Sequence, residues 1–190
     1  MIFKEKYKIL SKNKFTKGKF SIVPIRFRDR YEIMKWRNNQ MYHLRQTKPL
    51  TRVEQDHYFD NIILKSFSQN YPDQILFSYL SGEECIGYGG LVHINWNDKN
   101  AELSFIMDTD LEKDFFSFHW QKFISNIEDV AFEELKLHKI YTYAFDLRPH
   151  LYDALEVGGF IKEAELKEHC NFNNEFKSVI IHSKTSNLCD

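Results

Sequence analysis

The segment from Cys85 to Met107 constrains the fold more than any other part of this 190-residue chain. Its two halves show the period of two that is typical of β-strands, and the turn-forming stretch 95–100 separates them. The first half also contains glycines at positions 87, 89 and 90. Because glycine weakens a strand, its presence there usually marks a bulge, or the close approach of a ligand or a second backbone. The segment therefore predicts a β-hairpin at the centre of a sheet that carries the functional site.

The rest of the chain alternates between strand and helix patterns. Asp29-x-x-Glu32 and Thr51-x-x-Glu54 resemble capping boxes that begin helices, and Pro149 suits the first position of another. This order predicts an α+β domain in which one mixed, mostly antiparallel sheet of about six or seven strands is flanked by about four helices. Outside the hairpin, strands are predicted at 20–27, 75–79, 139–145, 160–169 and 175–183, and helices at 29–39, 51–67, 108–135 and 149–158.

Composition narrows the class of protein. The chain is 43% hydrophobic with a net charge of −1, which fits one globular domain and gives no overall field for nucleic acid. Its three cysteines form no Cys-x-x-Cys pair, and no His-Glu-x-x-His motif occurs, so neither a disulfide framework nor a metal site is predicted. No signal peptide and no apolar run long enough to span a bilayer is visible. We therefore expect a cytoplasmic protein that does not enter the membrane.

The two ends are predicted to lie outside the main domain at 20–183. Residues 1–19 carry seven lysines and one acid, Glu5. One interpretation is a basic arm for an anionic partner. The favoured one is a solvated extension, perhaps with a short edge strand whose Phe3, Tyr7 and Ile9 turn inward, since lysines commonly protect edge strands. Residues 184–190 are expected to fray.

Four short motifs, in this order, resemble the GNAT superfamily of N-acetyltransferases, in its ribosomal-protein and amino-sugar acetyltransferase branch. They are Trp36–Asn38 (Trp-Arg-Asn), Ile86–Gly90 (Ile-Gly-Tyr-Gly-Gly), Ala101–Phe105 (Ala-Glu-Leu-Ser-Phe) and Gly159–Glu163 (Gly-Phe-Ile-Lys-Glu). The resemblance covers roughly residues 20–183. It implies a GNAT-like domain that moves an acetyl group from acetyl-CoA to a primary amine by direct attack in a ternary complex.

The resemblance also implies where the cofactor binds. In the family, a bulge in the strand matching 101–105 splays it from the next strand, and the pantetheine arm enters the gap. Here the thioester is expected beside Phe105, Ile106 and Met107, whose backbone amides can polarise its carbonyl.

The loop that cradles the cofactor pyrophosphate in the family departs from its usual pattern, Gln/Arg-x-x-Gly-x-Gly/Ala. Glu112 stands at the Gln/Arg position, Phe115 at the first glycine and Ser117 at the last, so residues 112–117 contain no glycine. Three outcomes stay open: a weaker CoA site, a different path of the loop, or a domain that has lost catalysis and serves as a binding or scaffold module. If the site is kept, the expected cofactor contacts here are Lys113, Phe115, Phe116, Ser117 and Arg148.

Attack on a thioester needs a neutral amine, so a base must remove a proton. The resemblance makes Glu102 the first candidate and His93, on the neighbouring strand, the second. The family tyrosine that protonates the leaving thiolate aligns with Leu155, and Tyr152, about one turn away, is the expected substitute. A solvated strand glutamate and a packed strand histidine are the alternatives for the first two.

The resemblance implies that the region from Trp36 to Arg45 forms a wall of the acceptor pocket. Its predicted residues are Trp36, Arg37, Asn38 and Arg45, where the arginines would bind a phosphate or carboxylate through their planar forks. Alternatively, Trp36 packs in the core and the arginines lie on the surface. Expected acceptors are a nucleotide-linked amino sugar, a small metabolite or a protein N-terminus, and the expected assembly is a monomer or homodimer.

Overall fold

The computed structural model describes residues 5–186, and in that part of the chain eight strands form one sheet. The strands are β1 (Phe15–Lys17), β2 (Phe20–Pro24), β3 (Ile75–Ser81), β4 (Glu84–Asn95), β5 (Asn100–Met107), β6 (Lys139–Phe145), β7 (Ile161–Phe172) and β8 (Glu175–Thr185). Their order across the sheet is β1-β2-β3-β4-β5-β6-β8-β7, and every neighbouring pair is antiparallel except β5 and β6. The α+β class is confirmed, with one more strand, β1, than the predicted range.

The helices lie between the strands, as the sequence predicts. They are α1 (Arg30–Asn39), α2 (Arg52–Tyr58), α3 (Leu64–Ser66), α4 (Thr109–Glu128) and α5 (Pro149–Val157). A π-helical turn, Phe59–Ile63, joins α2 to α3, so these two form one continuous helix. A second π-helical turn, Asp129–Glu134, extends α4. The described residues contain no helix long and apolar enough to cross a membrane.

The two predicted capping boxes have different outcomes. Thr51 and Glu54 form a complete capping box at the start of α2, as predicted. Asp29 makes no capping bond, and its predicted box is wrong. Its buried carboxylate instead lies 2.7 Å from Nε of Arg26 and accepts a hydrogen bond of 2.6 Å from the hydroxyl of Ser78. Arg26 and the distant Ser78 thus bind the carboxylate that was expected to cap the helix.

The two faces of the sheet are covered by different helices. Phe105 of β5 stacks on Phe123 of α4 with ring centroids 4.0 Å apart, so this face packs on α4. Ser104, its neighbour in β5, points to the opposite face because side chains alternate along a strand. There it shares a cavity with Ile33 of α1 and Tyr58 of α2. Residues 101–107 therefore present one face to α4 and the other to α1 and α2.

The glycines of β4 are explained by the close approach of neighbouring backbone. A Cβ on Gly89 would collide with the carbonyl oxygen of Ser104, and it would also press on the ring of Phe123. At Gly90 the φ of 155° is unfavourable for other residues, and a Cβ would collide with the carbonyl of Ile75. The prediction that these glycines mark a close contact is confirmed, and the contact is made by strands β3 and β5.

The described part of the N-terminal extension packs against the domain. Tyr7 is fully buried, and its hydroxyl bonds both the carbonyl and the N–H of Leu76, at 2.9 and 2.8 Å. Ile9 is partly buried, and the edge strand is β1 at Phe15–Lys17 rather than around Tyr7. Phe3 lies outside the described residues. At the other end, β8 continues to Thr185, two residues past its predicted end, and 187–190 lie outside the described residues.

Candidate active site

Strands β5 and β6 separate part-way along their length. They pair from Asn100–Lys139 to Glu102–Tyr141 and no further, although β5 continues to Met107 and β6 to Phe145. Beyond Glu102, no strand in the described part of the chain pairs with this edge of β5. A cavity of about 360 Å³, here called the main cavity, opens at the separation.

The expected bulge lies on a different strand. The register shifts between Val92 and Asn95 of β4, where an extra residue faces β5, and the pairing of 103–107 with β4 is regular. His93, inside the bulge, has a φ of 50°, a left-handed conformation that is uncommon outside glycine, although asparagine, aspartate and histidine adopt it more often than other residues. The prediction of a bulge in 101–105 is therefore wrong, because the irregular backbone is at His93.

Three residues that the sequence proposed for different roles meet at the main cavity. Glu102 is 8% exposed, and its Oε1 accepts a 2.6 Å hydrogen bond from Nη2 of Arg45. Its Oε2 lies 2.8 Å from Nδ1 of His93. Arg45 is itself held, because its guanidinium lies 4.4 Å from the ring centre of Tyr143 and donates to the Tyr143 carbonyl. The result is a connected chain, Arg45–Glu102–His93, beside the separated strands.

This arrangement assigns different chemistry to Glu102 and His93. Both carboxylate oxygens of Glu102 are already engaged, so the carboxylate is suited to orienting a neighbour. The His93 side chain is 63% exposed. When Nδ1–H of His93 donates to Glu102, Nε2 carries a lone pair toward solvent or substrate. Histidine is also the side chain that ordinarily exchanges a proton near neutral pH.

The Trp-Arg-Asn motif contributes one residue to the main cavity. Trp36 is buried, and its Nε1 donates to Asp108 at 3.0 Å, so it follows the core alternative. Asn38 bonds both backbone groups of Leu50 and so holds the loop after α1. Arg37 lines the main cavity, where its Nη1 donates to the hydroxyl of Tyr88 at 2.7 Å and its Nε to Gln46 at 3.1 Å.

A second cavity of about 270 Å³, the side cavity, lies between α1, α2 and the sheet. Its wall includes Ile33, Leu50, Tyr58 and Leu76, which make it largely apolar. Arg37 lines both cavities and therefore stands between them.

The three residues of β5 expected beside the thioester are placed differently. Phe105 and Ile106 line the main cavity, and Met107 is not among its lining residues. The Met107 carbonyl instead accepts a 2.8 Å hydrogen bond from the buried amide of Gln40. The last residue of the strand is therefore committed to holding the end of α1.

The segment that replaces the glycine loop is helical. Asp108 caps α4, accepting hydrogen bonds from the N–H groups of Asp110 and Leu111. The helix then runs to Glu128 with a kink at Phe115, where φ is −128° and ψ is 22°. The kink falls at the position of the family's first loop glycine. The backbone of residues 109–117 is thus helical, and the three outcomes left open above stay predictions.

Glu112 does not face the solvent as an uncompensated acid. It is buried and lies 3.0 Å from Nη1 of Arg148, which is also buried, and it accepts a hydrogen bond from the hydroxyl of Tyr42 at 3.1 Å. Burial lowers the pKa of Arg148, and the nearby Glu112 opposes that effect. Arg148 therefore compensates the charge of Glu112, so a pyrophosphate nearby would meet a paired carboxylate.

Other residues predicted to contact the cofactor are spread over different surfaces. Arg148 lines the main cavity. Lys113 pairs with Asp110 on the surface, Ser117 is exposed, and Phe116 packs on His150 with ring centres 4.4 Å apart. Phe115 is 53% exposed and lines a groove on another side of α4. The structure brings Arg148 to the cavity and leaves the others outside it.

Tyr152 is not placed to protonate a thiolate in the main cavity. It is not among the lining residues, and its hydroxyl donates to Asp146 at 2.9 Å. Burial raises its pKa, and the bond to Asp146 raises it further. Both effects keep the proton on the phenol, so the geometry does not support the acid role.

Several cavity residues carried no signal in the sequence analysis. Thr142 of β6 lines the main cavity, and its buried hydroxyl has no hydrogen-bond partner among residues 5–186. Burial lowers the pKa of His43 to about 3, with Arg148 the next cause, so this lining histidine is neutral. Tyr88, whose hydroxyl accepts a hydrogen bond from Arg37, lies in β4 and is visible in the sequence only as part of the glycine motif. No group of three or more potential ligands in the described chain could hold a metal ion.

Comparison with known proteins agrees with this geometry. The family model described as "Acetyltransferase (GNAT) domain" matches residues 22–180. Spermidine N-acetyltransferase from Vibrio cholerae, in complex with CoA and spermine, is 20% identical with a TM-score of 0.77, covering 89% of this chain and 96% of that one. A dodecameric structure of the same enzyme in an intermediate state is 20% identical with a TM-score of 0.71, covering 89% and 95%. A putative acetyltransferase is 14% identical with a TM-score of 0.68, covering 92% and 89%. No curated protein matches.

The chain belongs to the GNAT acetyltransferase family. It is an N-acetyltransferase that uses acetyl-CoA as donor and an amine as acceptor. The resemblance seen in the sequence is confirmed at the level of the superfamily, while the branch stays a prediction.

Proposed function

We propose that the protein acetylates a small primary amine in the main cavity. His93 is the base, and Glu102 orients the His93 side chain. The observation that carries this proposal is the 2.8 Å contact between His93 and Glu102 beside the separated strands. An amine seated at the exposed face of His93 gives its proton to Nε2 and attacks the carbonyl carbon. The C–N bond forms and the C–S bond breaks. The nitrogen then loses its second proton to solvent, and the departing thiolate takes up a proton from solvent and leaves as the thiol.

The separated strands suit the donor. Beyond Glu102 no strand within residues 5–186 pairs with this edge of β5, and Thr142, whose hydroxyl has no hydrogen-bond partner among those residues, lines the same cavity. Backbone N–H groups near Phe105 and Ile106 then stabilise the negative charge that develops on the carbonyl oxygen. Trp120 and Leu151, which also line the cavity, help to exclude water from the reaction.

The acceptor remains one of several amines. Spermidine, the acceptor in the name of the similar structures, is one candidate, and a nucleotide-linked amino sugar, a small metabolite or a protein N-terminus are the others. We further propose a cytoplasmic location and a monomer or homodimer. Cys85 and Cys170 are free thiols, which suits a reducing compartment.

The first test is calorimetric titration with acetyl-CoA and with CoA. We expect micromolar binding, or about −8 kcal/mol. A thiol-release assay with a panel of amines should then detect transfer. Failure to bind acetyl-CoA at millimolar concentration would overturn the proposal. It would support the alternative that the domain is a binding or scaffold module without catalysis.

A further inference from the structure

We propose that the acceptor carries an oxyanion, which Arg37 binds between the two cavities, and that it is a phosphorylated or nucleotide-linked amino sugar. The inference rests on the proposed function, because it concerns the acceptor of the same site. It goes further by naming the chemistry that selects the acceptor.

Arg37 differs from the other arginines around it in having no carboxylate partner. Arg30 and Arg45 each lie 2.6 Å from a carboxylate oxygen, and Arg148 lies 3.0 Å from one. Within residues 5–186, no carboxylate lies within ion-pair distance of Arg37. Its contacts are two neutral groups, the hydroxyl of Tyr88 and the amide oxygen of Gln46.

A partly buried cation without a counter-ion is costly to retain. Tyr88 and Gln46 offset part of that cost and also fix the plane of the guanidinium. They use the Nε–H and one Nη1–H, so the remaining N–H donors are available to a ligand. A phosphoryl group or carboxylate can accept two parallel hydrogen bonds from such a fork, which gives both affinity and orientation.

The charged side chains around both cavities also favour an anionic acceptor. Glu102 of the main cavity is engaged by Arg45 and His93. Glu54 of the side cavity is engaged by Lys48 and by its capping box with Thr51. Every carboxylate that lines the two cavities in the described chain is therefore already paired. A polyamine with several ammonium groups would find no free carboxylate there, whereas an anion would find Arg37.

The position of Arg37 also orders the parts of the acceptor. The amine must lie in the main cavity near His93, and the oxyanion lies at Arg37. Any group beyond the oxyanion then enters the side cavity, where Leu50 and Tyr58 offer apolar contact. Amine, oxyanion and further group follow one another in this order in a nucleotide-linked amino sugar, in which phosphoryl groups join the sugar to a nucleoside.

The test compares matched acceptors by kcat/KM in the thiol-release assay. The panel contains a free amino sugar, its phosphate ester, a nucleotide-linked amino sugar, an amino acid and spermidine. We expect the two phosphorylated acceptors to be preferred, and Arg37→Gln to lower their kcat/KM by about 30- to 100-fold. The same change should alter kcat/KM for the free amino sugar less than about threefold, since no hydrogen bond to an oxyanion is lost.

Two further variants separate charge from geometry. Arg37→Lys keeps the charge but not the fork, so the loss should be intermediate. Arg28→Gln makes the same change of charge at an exposed position outside both cavities. It should leave kcat/KM unchanged for every acceptor. Thermal unfolding of each variant checks that the fold is kept.

Contrary outcomes are distinct. A preference for spermidine or for the amino acid, or an equal loss for all acceptors in Arg37→Gln, would overturn this inference and leave the acetyltransferase proposal standing. Absence of transfer to every acceptor, with acetyl-CoA bound, would overturn both.

Discussion

Nδ1 of His93 lies 2.8 Å from Oε2 of Glu102, and the other oxygen of the same carboxylate lies 2.6 Å from Arg45. One carboxylate therefore orients an exposed imidazole and is itself held by a guanidinium. His93 lies in the bulge of β4, and its φ is 50°. Unusual backbone conformations are often kept at functional positions, which agrees with a role for His93 in proton transfer.

His93→Asn tests the base. Asparagine tolerates a positive φ, so the bulge should be retained while the proton acceptor is lost. We expect kcat to fall by about 100-fold or more at neutral pH, the usual contribution of a general base. The measurement is steady-state kinetics between pH 6 and 9, with His138→Asn, an exposed position outside the main cavity, as the control. A kcat equal to that of the parent would remove His93 from the mechanism.

Glu102→Gln tests the orienting carboxylate. The amide keeps the shape of the side chain but loses the carboxylate charge that contacts both His93 and Arg45. Turnover at neutral pH should fall by about tenfold or more, and acetyl-CoA affinity should change much less. Calorimetry and kinetics on the same preparation measure both quantities. Glu84→Gln, at the exposed start of β4, is the matched control. A parallel loss of affinity would indicate that Glu102 supports the donor site instead.

The buried pair Arg148–Glu112 is expected to stabilise the fold only while both partners are present. Arg148→Gln leaves the carboxylate of Glu112 buried without a cation and should lower the free energy of unfolding by about 3–5 kcal/mol. The double variant with Glu112→Gln removes that charge and should recover much of the loss. Urea denaturation of the parent, both single variants and the double variant gives the coupling free energy. Additive effects would show that the two residues do not depend on each other.

His43 should make the protein less stable as the pH falls. Burial is the main reason that its folded-state pKa is lowered from 6.5 to about 3. Between these two pH values His43 is therefore protonated in the unfolded chain and neutral in the folded one. The contribution of His43 to the free energy of unfolding is fully present above pH 6.5 and is lost as the pH falls toward 3. His119, His150 and His182 are shifted in the same direction and act with the same sign. Urea midpoints from pH 7 to 4 should fall less steeply in His43→Gln than in the parent. An unchanged slope would contradict the assignment.

The candidate site was partly visible in the sequence. Arg37 and Glu102 belong to the motifs, and the resemblance selected His93, Arg45 and Arg148 from neighbouring segments. All five line the main cavity. The ion pairs of Arg45 and Arg148 were not predicted, because each joins segments far apart in the chain. Arg45 and Glu102 are 57 residues apart, and Glu112 and Arg148 are 36 apart. Tyr152 was selected from helical spacing, yet its hydroxyl points to Asp146, a choice that depends on how α5 packs.

The sequence by itself determined the order of strands and helices, the central hairpin, the capping box at Thr51 and membership of the GNAT family. These features depend on periodicity and on residues a few positions apart, which a linear pattern records. Only the tertiary structure decided the bulge at His93, the chain from Arg45 through Glu102 to His93, the pairing of Glu112 with Arg148 and the unpaired Arg37. Those features depend on one backbone dihedral and on which charges meet across the sheet, and long-range packing sets both.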